Sequence, residues 1–317
     1  MRRQSIISIL VAICTAAACQ KNDMVQQEHI PLSFSTVQTK SGLSTIFENF
    51  EVWARCISVS SSDLMDGYRV NYDAATGWTY TEGEGTENQE LKFWDASSTS
   101  FRFHAGAPVV RVKEITEASL TMDITATTTL SETSLFSSPY IVGRNDPSYG
   151  QTVNLKFNYA NARVNVAFKY ASSSSVVISD IQLTPPAAYP TTGTIKLDYD
   201  WTKGKVRATA LDKTAESTDP LSFPSVNIPA GSTTAIETDQ PRYMIPDASV
   251  KGKWSISMKI DGTTKQADFT VSKAWEPGKS YQYIFEYTDQ ANLVFIGTNE
   301  VIFDGEDLEN GVEHNFN

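Results

Sequence analysis

The chain has 317 residues, 37 Asp and Glu against 26 Lys and Arg, a formal net charge of -11 and three cysteines. An acidic chain of this size holds one large or two ordinary domains. Its charge excludes a phosphate-backbone partner, since nucleic-acid binders concentrate Lys and Arg, so no nucleic acid is expected.

The first element is a short apolar run, Ile6 to Ala18, behind Arg2 and Arg3. About a dozen residues are too few for a helix that crosses a bilayer, so the run reads as a signal h-region. It ends in Ala16-Ala17-Ala18-Cys19, which resembles the lipobox of bacterial lipoproteins. The resemblance implies cleavage before Cys19 and acylation of its thiol, with residues 1–18 removed as a signal peptide; an ordinary secretory signal is the alternative. Multiple acyl chains would hold the protein stably on the outer membrane. Gln20-Lys21-Asn22-Asp23 also resembles the polar signals that send Bacteroides lipoproteins to the cell surface. Once Cys19 is lipidated, Cys56 has no disulfide partner and is expected to be a small buried hydrophobe.

Residues 19–30 are polar and aperiodic and read as a tether. Beyond them the chain is predicted to be nearly all β. Leu32, Phe34 and Thr36 alternate with their neighbours, as do Phe50, Val52, Ala54 and Cys56, which is the period of half-buried strands. Further strands are predicted over 101–105, 109–112, 120–125, 153–159, 163–170, 176–183 and 194–199. The second half repeats the pattern at 222–228, 240–245, 254–260, 267–271 and 281–287. Asp261-Gly262 is a hairpin signal. Loops are expected at 73–77, 83–85, 146–150, 184–193 and 203–204, and at most one or two helical turns near 43–49. A serine run from 171 to 175 suggests two antiparallel β-sandwich domains, 31–170 and 171–317.

Several patterns then occur in an order that resembles the fimbrillin-like proteins of the Bacteroidales, subunits and accessory proteins of type V pili. They are Ile30-Pro31-Leu32-Ser33-Phe34 with Thr39-Lys40, Phe93-Trp94-Asp95, Phe101 to Pro108, Val153 to Phe157 with Ala162-Arg163-Val164, Tyr243-Met244-Ile245-Pro246, and Trp275 to Tyr283. Physics gives these motifs a packing role first: Trp94, Phe101 and Phe103 as core, Pro277-Gly278 as a turn. The resemblance implies two tandem transthyretin-like sandwiches. It also implies a fimbrium component that a trypsin-like protease cuts between Lys40 and Ser41, releasing the first strand so that a strand of another subunit fills the groove. Leu293, Phe295, Val301 and Phe303 form a candidate donor strand, with self-completion of the domain as the alternative. Arg55 is a second basic residue, but it sits within an alternating run and is expected to be protected.

A competing reading is a free-standing surface lipoprotein, or an uncleaved pilus anchor, that contacts host glycan or protein through Trp78 and Tyr80; Trp78 reads equally as core. No metal, nucleophile-elbow or dinucleotide motif is present, and no cofactor or enzymatic activity is expected. Gly278-Lys279-Ser280 lacks the first glycine of a phosphate loop, Lys273 standing in its place. His29, His104 and His314 lack ligand spacing, and Asp304, Glu306, Asp307 and Glu309 read as a solvated acidic turn.

Overall fold

The structure, a computed structural model, describes residues 30–37, 47–58, 61–170, 173–288, 292–302 and 312–314. Within them the chain is all-β, with single 3-10 turns at Val109–Arg111 and Leu130–Glu132. Four sheets form, and each arises where alternating side chains find a second layer to cover them.

The largest sheet has eight strands. Its order is Phe34–Val37, Val153–Tyr159, Leu135–Ser137, Ser100–Ala107, Asn49–Ile57, Ser62–Asp73 and Gly77–Thr79, with Tyr140–Gly143 also beside Ser100–Ala107. Asn49–Ile57 shows why it lies at the centre. Phe50, Val52, Ala54 and Cys56 are buried on one face, while Trp53 is buried on the other. Two-sided burial requires cover on both sides. On the first face the sheet curls over itself, so that Phe34 at one end meets the rings of Phe50 and Phe103 at 6.0 and 6.2 Å. On the second face a five-stranded sheet supplies Leu120, Met122, Ile195, Leu197 and Val206 to a core with Trp53 and Phe136. That sheet runs Val112–Ile115, Ser119–Thr125, Tyr189–Asp200, Lys205–Ser217 and Val312–His314.

The remaining two sheets face one another. One places Ala162–Lys169 between Lys279–Tyr287, which runs parallel to it, and the short antiparallel strands Ile236–Glu237 and Arg242–Met244; Leu293–Ile302 forms its far edge. The other runs Leu221–Phe223, Val176–Thr184, Gly252–Ile260 and Thr263–Val271, with Val226–Ile228 also on Val176–Thr184. Phe168, Trp254, Trp275, Tyr281, Tyr283 and Phe285 pack between them. Trp275 Nε1 donates to the Tyr283 hydroxyl at 2.9 Å, which satisfies both polar tips inside an apolar core.

The sheet pairing does not follow a partition at residue 170. Ala162–Lys169 precedes that point yet pairs with Lys279–Tyr287, and the hairpin Tyr189–Ser217 follows it yet pairs with Ser119–Thr125. Each crossing strand goes where its apolar face is covered. Local expectations also shift. Val109–Arg111 is a turn rather than a strand, because Pro108 precedes it and removes a ladder donor, and the strand begins at Val112. The expected loop 184–193 is strand from Tyr189 onward. Residues 43–46 of the expected helical turn lie outside the described residues, and Asn49 already starts a strand. The hairpin at Asp261-Gly262 forms with φ values of 45° and 80°, the positive angles that a tight two-residue turn needs.

Candidate functional site: the seat of the first strand

Phe34–Val37 is a short edge strand whose Phe34 reaches into the core. It runs parallel to Val153–Tyr159 with Phe34 opposite Val153 and Thr36 opposite Leu155. The Val153 amide donates to the Ser33 carbonyl at 2.8 Å, the Ser33 and Thr152 hydroxyls meet at 2.9 Å, and the Ser35 hydroxyl bonds Asn154. On its other side, among the described residues, the backbone hydrogen bonds lie at its start. The Leu32 amide donates to the Lys92 carbonyl at 2.8 Å, and the Trp94 amide to the Ile30 carbonyl at 2.9 Å, around an isolated bridge between Pro31 and Phe93.

The inward side chains are Leu32 and Phe34, 3% and 4% exposed. Phe34 meets Phe50, Tyr80 and Phe103 edge-on. Burying two such side chains stabilises by about 1.5–3 kcal/mol each. Tyr80 closes the arrangement from below. Its hydroxyl lies 3.3 Å from the Leu32 carbonyl and 3.1 Å from the Lys92 carbonyl, and accepts from the Lys92 amide at 3.1 Å. Burial pushes its phenol pKa up, so it stays a donor at any physiological pH. Removing the strand would leave a trough floored by Phe50 and Phe103 and flanked by the unpaired edge of Val153–Tyr159.

The other residues singled out in the sequence fall as follows. Cys19, Lys40, Ser41 and Phe303 lie outside the described residues, as does the acidic run from Asp304 to Glu309. Tyr80 is 3% exposed, so it is a clamp on the first strand and not a surface ligand contact. Trp78 is half-buried against Phe47, Phe50 and Tyr72, at centroid distances of 5.7, 5.0 and 5.1 Å. The tail strand Leu293–Ile302 pairs antiparallel with Lys279–Tyr287, Phe295 opposite Phe285. Leu293 and Phe295 pack on the core of their own sandwich, with Phe295 at 5.0 Å from Phe269 and 5.5 Å from Phe285, while Val301 is exposed. The self-completed arrangement is thus the one the structure adopts. Arg55 lies mid-strand between Ser62–Asp73 and Ser100–Ala107 and bonds Glu117, so its peptide bond is shielded on both sides.

Sequence reasoning missed the Tyr80 clamp and the Lys92–Trp94 tie. The motif around Trp94 signals a buried aromatic but not which backbone lies beside it. Cys56 is buried, its thiol 3.5 Å from the Ser62 carbonyl. His104 is fully buried with Nε2 2.6 Å from the Thr116 carbonyl, and burial holds its pKa down at about 3. Among the described residues, no three His, Cys, Asp or Glu side chains gather to hold a metal ion. No helix there is long and apolar enough to cross a membrane.

Residues 48–301 match the model of the fimbrillin-like family. A fimbrial protein from Bacteroides vulgatus ATCC 8482 superposes with a TM-score of 0.57 at 14% identity, over 86% of this chain and 99% of that one. A candidate cell adhesion protein from Bacteroides uniformis ATCC 8492 does so with a TM-score of 0.50 at 12% identity, again over 86% and 99%. At such identities the likeness establishes a shared fold. No curated protein matches the chain. The family match spans most of the sequence and includes the strands that form the trough beneath Phe34, and on that basis the chain belongs to the fimbrillin-like family.

Proposed function

We propose that this chain is a structural or adhesive component of a cell-surface fimbrium. It is exported as a lipoprotein on Cys19, cut between Lys40 and Ser41, and assembled when a strand of another subunit takes the place of its first strand. The observation that carries the reading is the seat itself. The strand Phe34–Val37 pairs along one edge over four residues, Phe34 and the preceding Leu32 are buried in the core, and a basic residue follows three positions after its end. A short edge strand of this kind is the element whose loss leaves a vacancy shaped for another strand. The match to the fimbrillin-like family and the fimbrial and cell-adhesion relatives support a pilus or adhesin role at the cell surface, structural rather than catalytic.

An uncleaved anchor or accessory subunit is the second reading. It is favoured by the tail, which fills its own sheet edge in place of reaching out. Intact-mass and N-terminal analysis of the protein on native cells and in shed filaments separates the two. Filament chains that begin at Ser41, and that no longer form when Lys40→Gln is introduced, support strand replacement. Filament chains that keep acylated Cys19 overturn it in favour of the anchor.

A further inference from the structure

The outer face of the sheet built on Val176–Thr184 is concave where a free sheet face would be flat or gently twisted. Two irregularities cause this. Val176–Thr184 bulges between Ser179 and Gln182 against Gly252–Ile260, with Asp180 in the left-handed region at φ 49°. On its other side the partner changes: Leu221–Phe223 pairs with Ile181–Leu183 and Val226–Ile228 with Val176–Ile178, so Pro224 and Ser225 pass the bulge without a ladder. Bulges bend a strand and re-aim its side chains, and a non-glycine residue held at positive φ marks a place where the surroundings impose the conformation. The result is a surface cavity of about 550 Å³, within the range of roughly 300–1,000 Å³ typical of ligand pockets.

Its floor has a defined chemistry. Ser222, Gln182, Ser257 and Gln266 are direct cross-strand neighbours on four successive strands, so they form one row across the sheet. Strands lie about 4.8 Å apart, so the row spans roughly 14 Å. All four point away from the core, and among the described residues the side chains of Gln182, Ser257 and Gln266 have no hydrogen-bond partner. Each is neutral and can donate and accept at once. The charges at the rim, Asp180 and Lys259, neutralise one another at 2.7 Å. A second cavity of about 240 Å³ shares Ser222 and continues past Tyr189, where Arg242 is occupied by the Ser222 carbonyl and the Phe223 ring.

We propose that this groove binds a neutral glycan segment through the row Ser222–Gln182–Ser257–Gln266. An anionic ligand finds no unpaired cation there, and of the apolar side chains in the lining Ile181, Phe223 and Met258 are buried in the core and Pro224 alone is part-exposed, so an apolar peptide side chain finds little to pack on. A polyhydroxylated chain finds what its hydroxyls need, alternating amides and hydroxyls with free donors and acceptors in one line. The groove lies in the second sandwich, away from the seat of the first strand, so the inference stands or falls independently of strand replacement.

The test uses the full-length, uncut protein with glutamine side-chain amides labelled for NMR. It is titrated with cellotriose, maltotriose and mannotriose as neutral probes, and with sialyllactose and an acidic hexapeptide as charged ones. At least one neutral trisaccharide is expected to move the Gln182 and Gln266 amide signals. The double variant Gln182→Ala/Gln266→Ala should weaken that binding at least about tenfold, as the loss of two hydrogen bonds implies. Ser257→Trp, which fills the groove from an outward-facing position, should abolish it with the thermal midpoint unchanged. The proposal is overturned if no neutral trisaccharide moves those signals at millimolar concentration, if the double variant binds as well as the parent, or if a charged probe binds the groove more tightly.

Discussion

The hydroxyl of Tyr80 joins the Leu32 carbonyl at 3.3 Å to the backbone of Lys92 at 3.1 Å, so one buried phenol spans the first strand and the segment beside it. Tyr80→Phe keeps the ring against Phe34 and removes only the hydroxyl. It is expected to cost about 1 kcal/mol in urea unfolding, the worth of a net hydrogen bond, and to speed amide exchange at Leu32 and Trp94. Phe34→Ala should cost about 3–5 kcal/mol, as a large core truncation does. Unchanged exchange at Leu32 in Tyr80→Phe would show that the phenol does not hold the strand.

Two titratable groups, one buried and one half-buried, bend the stability profile in opposite directions. His104 sits against Tyr199 at 4.0 Å and Trp53 at 5.4 Å, with a native pKa of about 3 against about 6.5 unfolded. Its contribution is whole above pH 6.5 and is lost as pH falls toward 3, on the order of 4 kcal/mol in all. Glu51 is raised to about 7, first by burial and then by the charge of Asp66, from an unperturbed value near 4.5. Its contribution is whole below pH 4.5 and is lost as pH rises through 7. Between pH 4.5 and 6.5 the two slopes cancel, giving a plateau. Glu51→Gln should abolish the plateau, so that stability climbs with pH across that window. At pH 8 the variant should exceed the parent by about 1–2 kcal/mol, a figure reduced for the partial exposure of Glu51. Urea midpoints at pH 4, 5.5 and 8 read the outcome.

At Gly193 the long hairpin passes close to its own return strand. A Cβ there would stand 2.5 Å from the Asp212 carbonyl oxygen, a backbone atom that cannot step aside without opening the ladder. Gly193→Ala should therefore cost about 2 kcal/mol or more. Gly77→Ala meets nothing within 4 Å and bears only the strain of φ 80°, about 1–2 kcal/mol. Thermal denaturation of the pair ranks them, and equal losses would deny the close approach.

Phe295 distinguishes a tail that packs at home from one held free for a neighbour. Its contacts with Phe269 and Phe285 predict that Phe295→Ala destabilises the isolated protein by about 2 kcal/mol, less than a full core truncation because the ring is only half-buried. Val301→Ser, on the exposed side of the same strand, should fall within about 0.5 kcal/mol of the parent. Equal, negligible effects would mean that the tail does not rest on its own sheet in solution.

The all-β character was legible wherever one face alone is buried. Val153–Tyr159 appears with the bounds its alternation predicts, and Gly252–Ile260 extends the predicted strand by two residues. Ser62–Asp73 and Lys205–Ser217 were not legible, because charged and polar residues interrupt their periodicity: the last nine residues of Lys205–Ser217 are exposed or half-exposed, and its structure comes from backbone pairing with Tyr189–Asp200. The buried state of Leu32 and Phe34 could be read from alternation, but the Tyr80 clamp could not, since Tyr80 lies 48 positions from Leu32. The row from Ser222 to Gln266 was equally invisible, because register places its members side by side and no periodicity within one strand reveals register across four.

The hairpin Tyr189–Ser217 completes the second layer over Trp53 although it lies some seventy residues past Ser119–Thr125, the strand it pairs with. Synthesis therefore proceeds for a long interval with one edge of Ser119–Thr125 unpaired and with Trp53 lacking Ile195, Leu197 and Val206 as neighbours in its core. At about 5–20 residues per second, the 92 residues from Thr125 to Ser217 take roughly 5–18 seconds to emerge. For that time the growing chain carries an open strand edge along Ser119–Thr125 and a half-built layer over Trp53, and whatever escorts it must keep that edge from pairing elsewhere until residue 217 arrives.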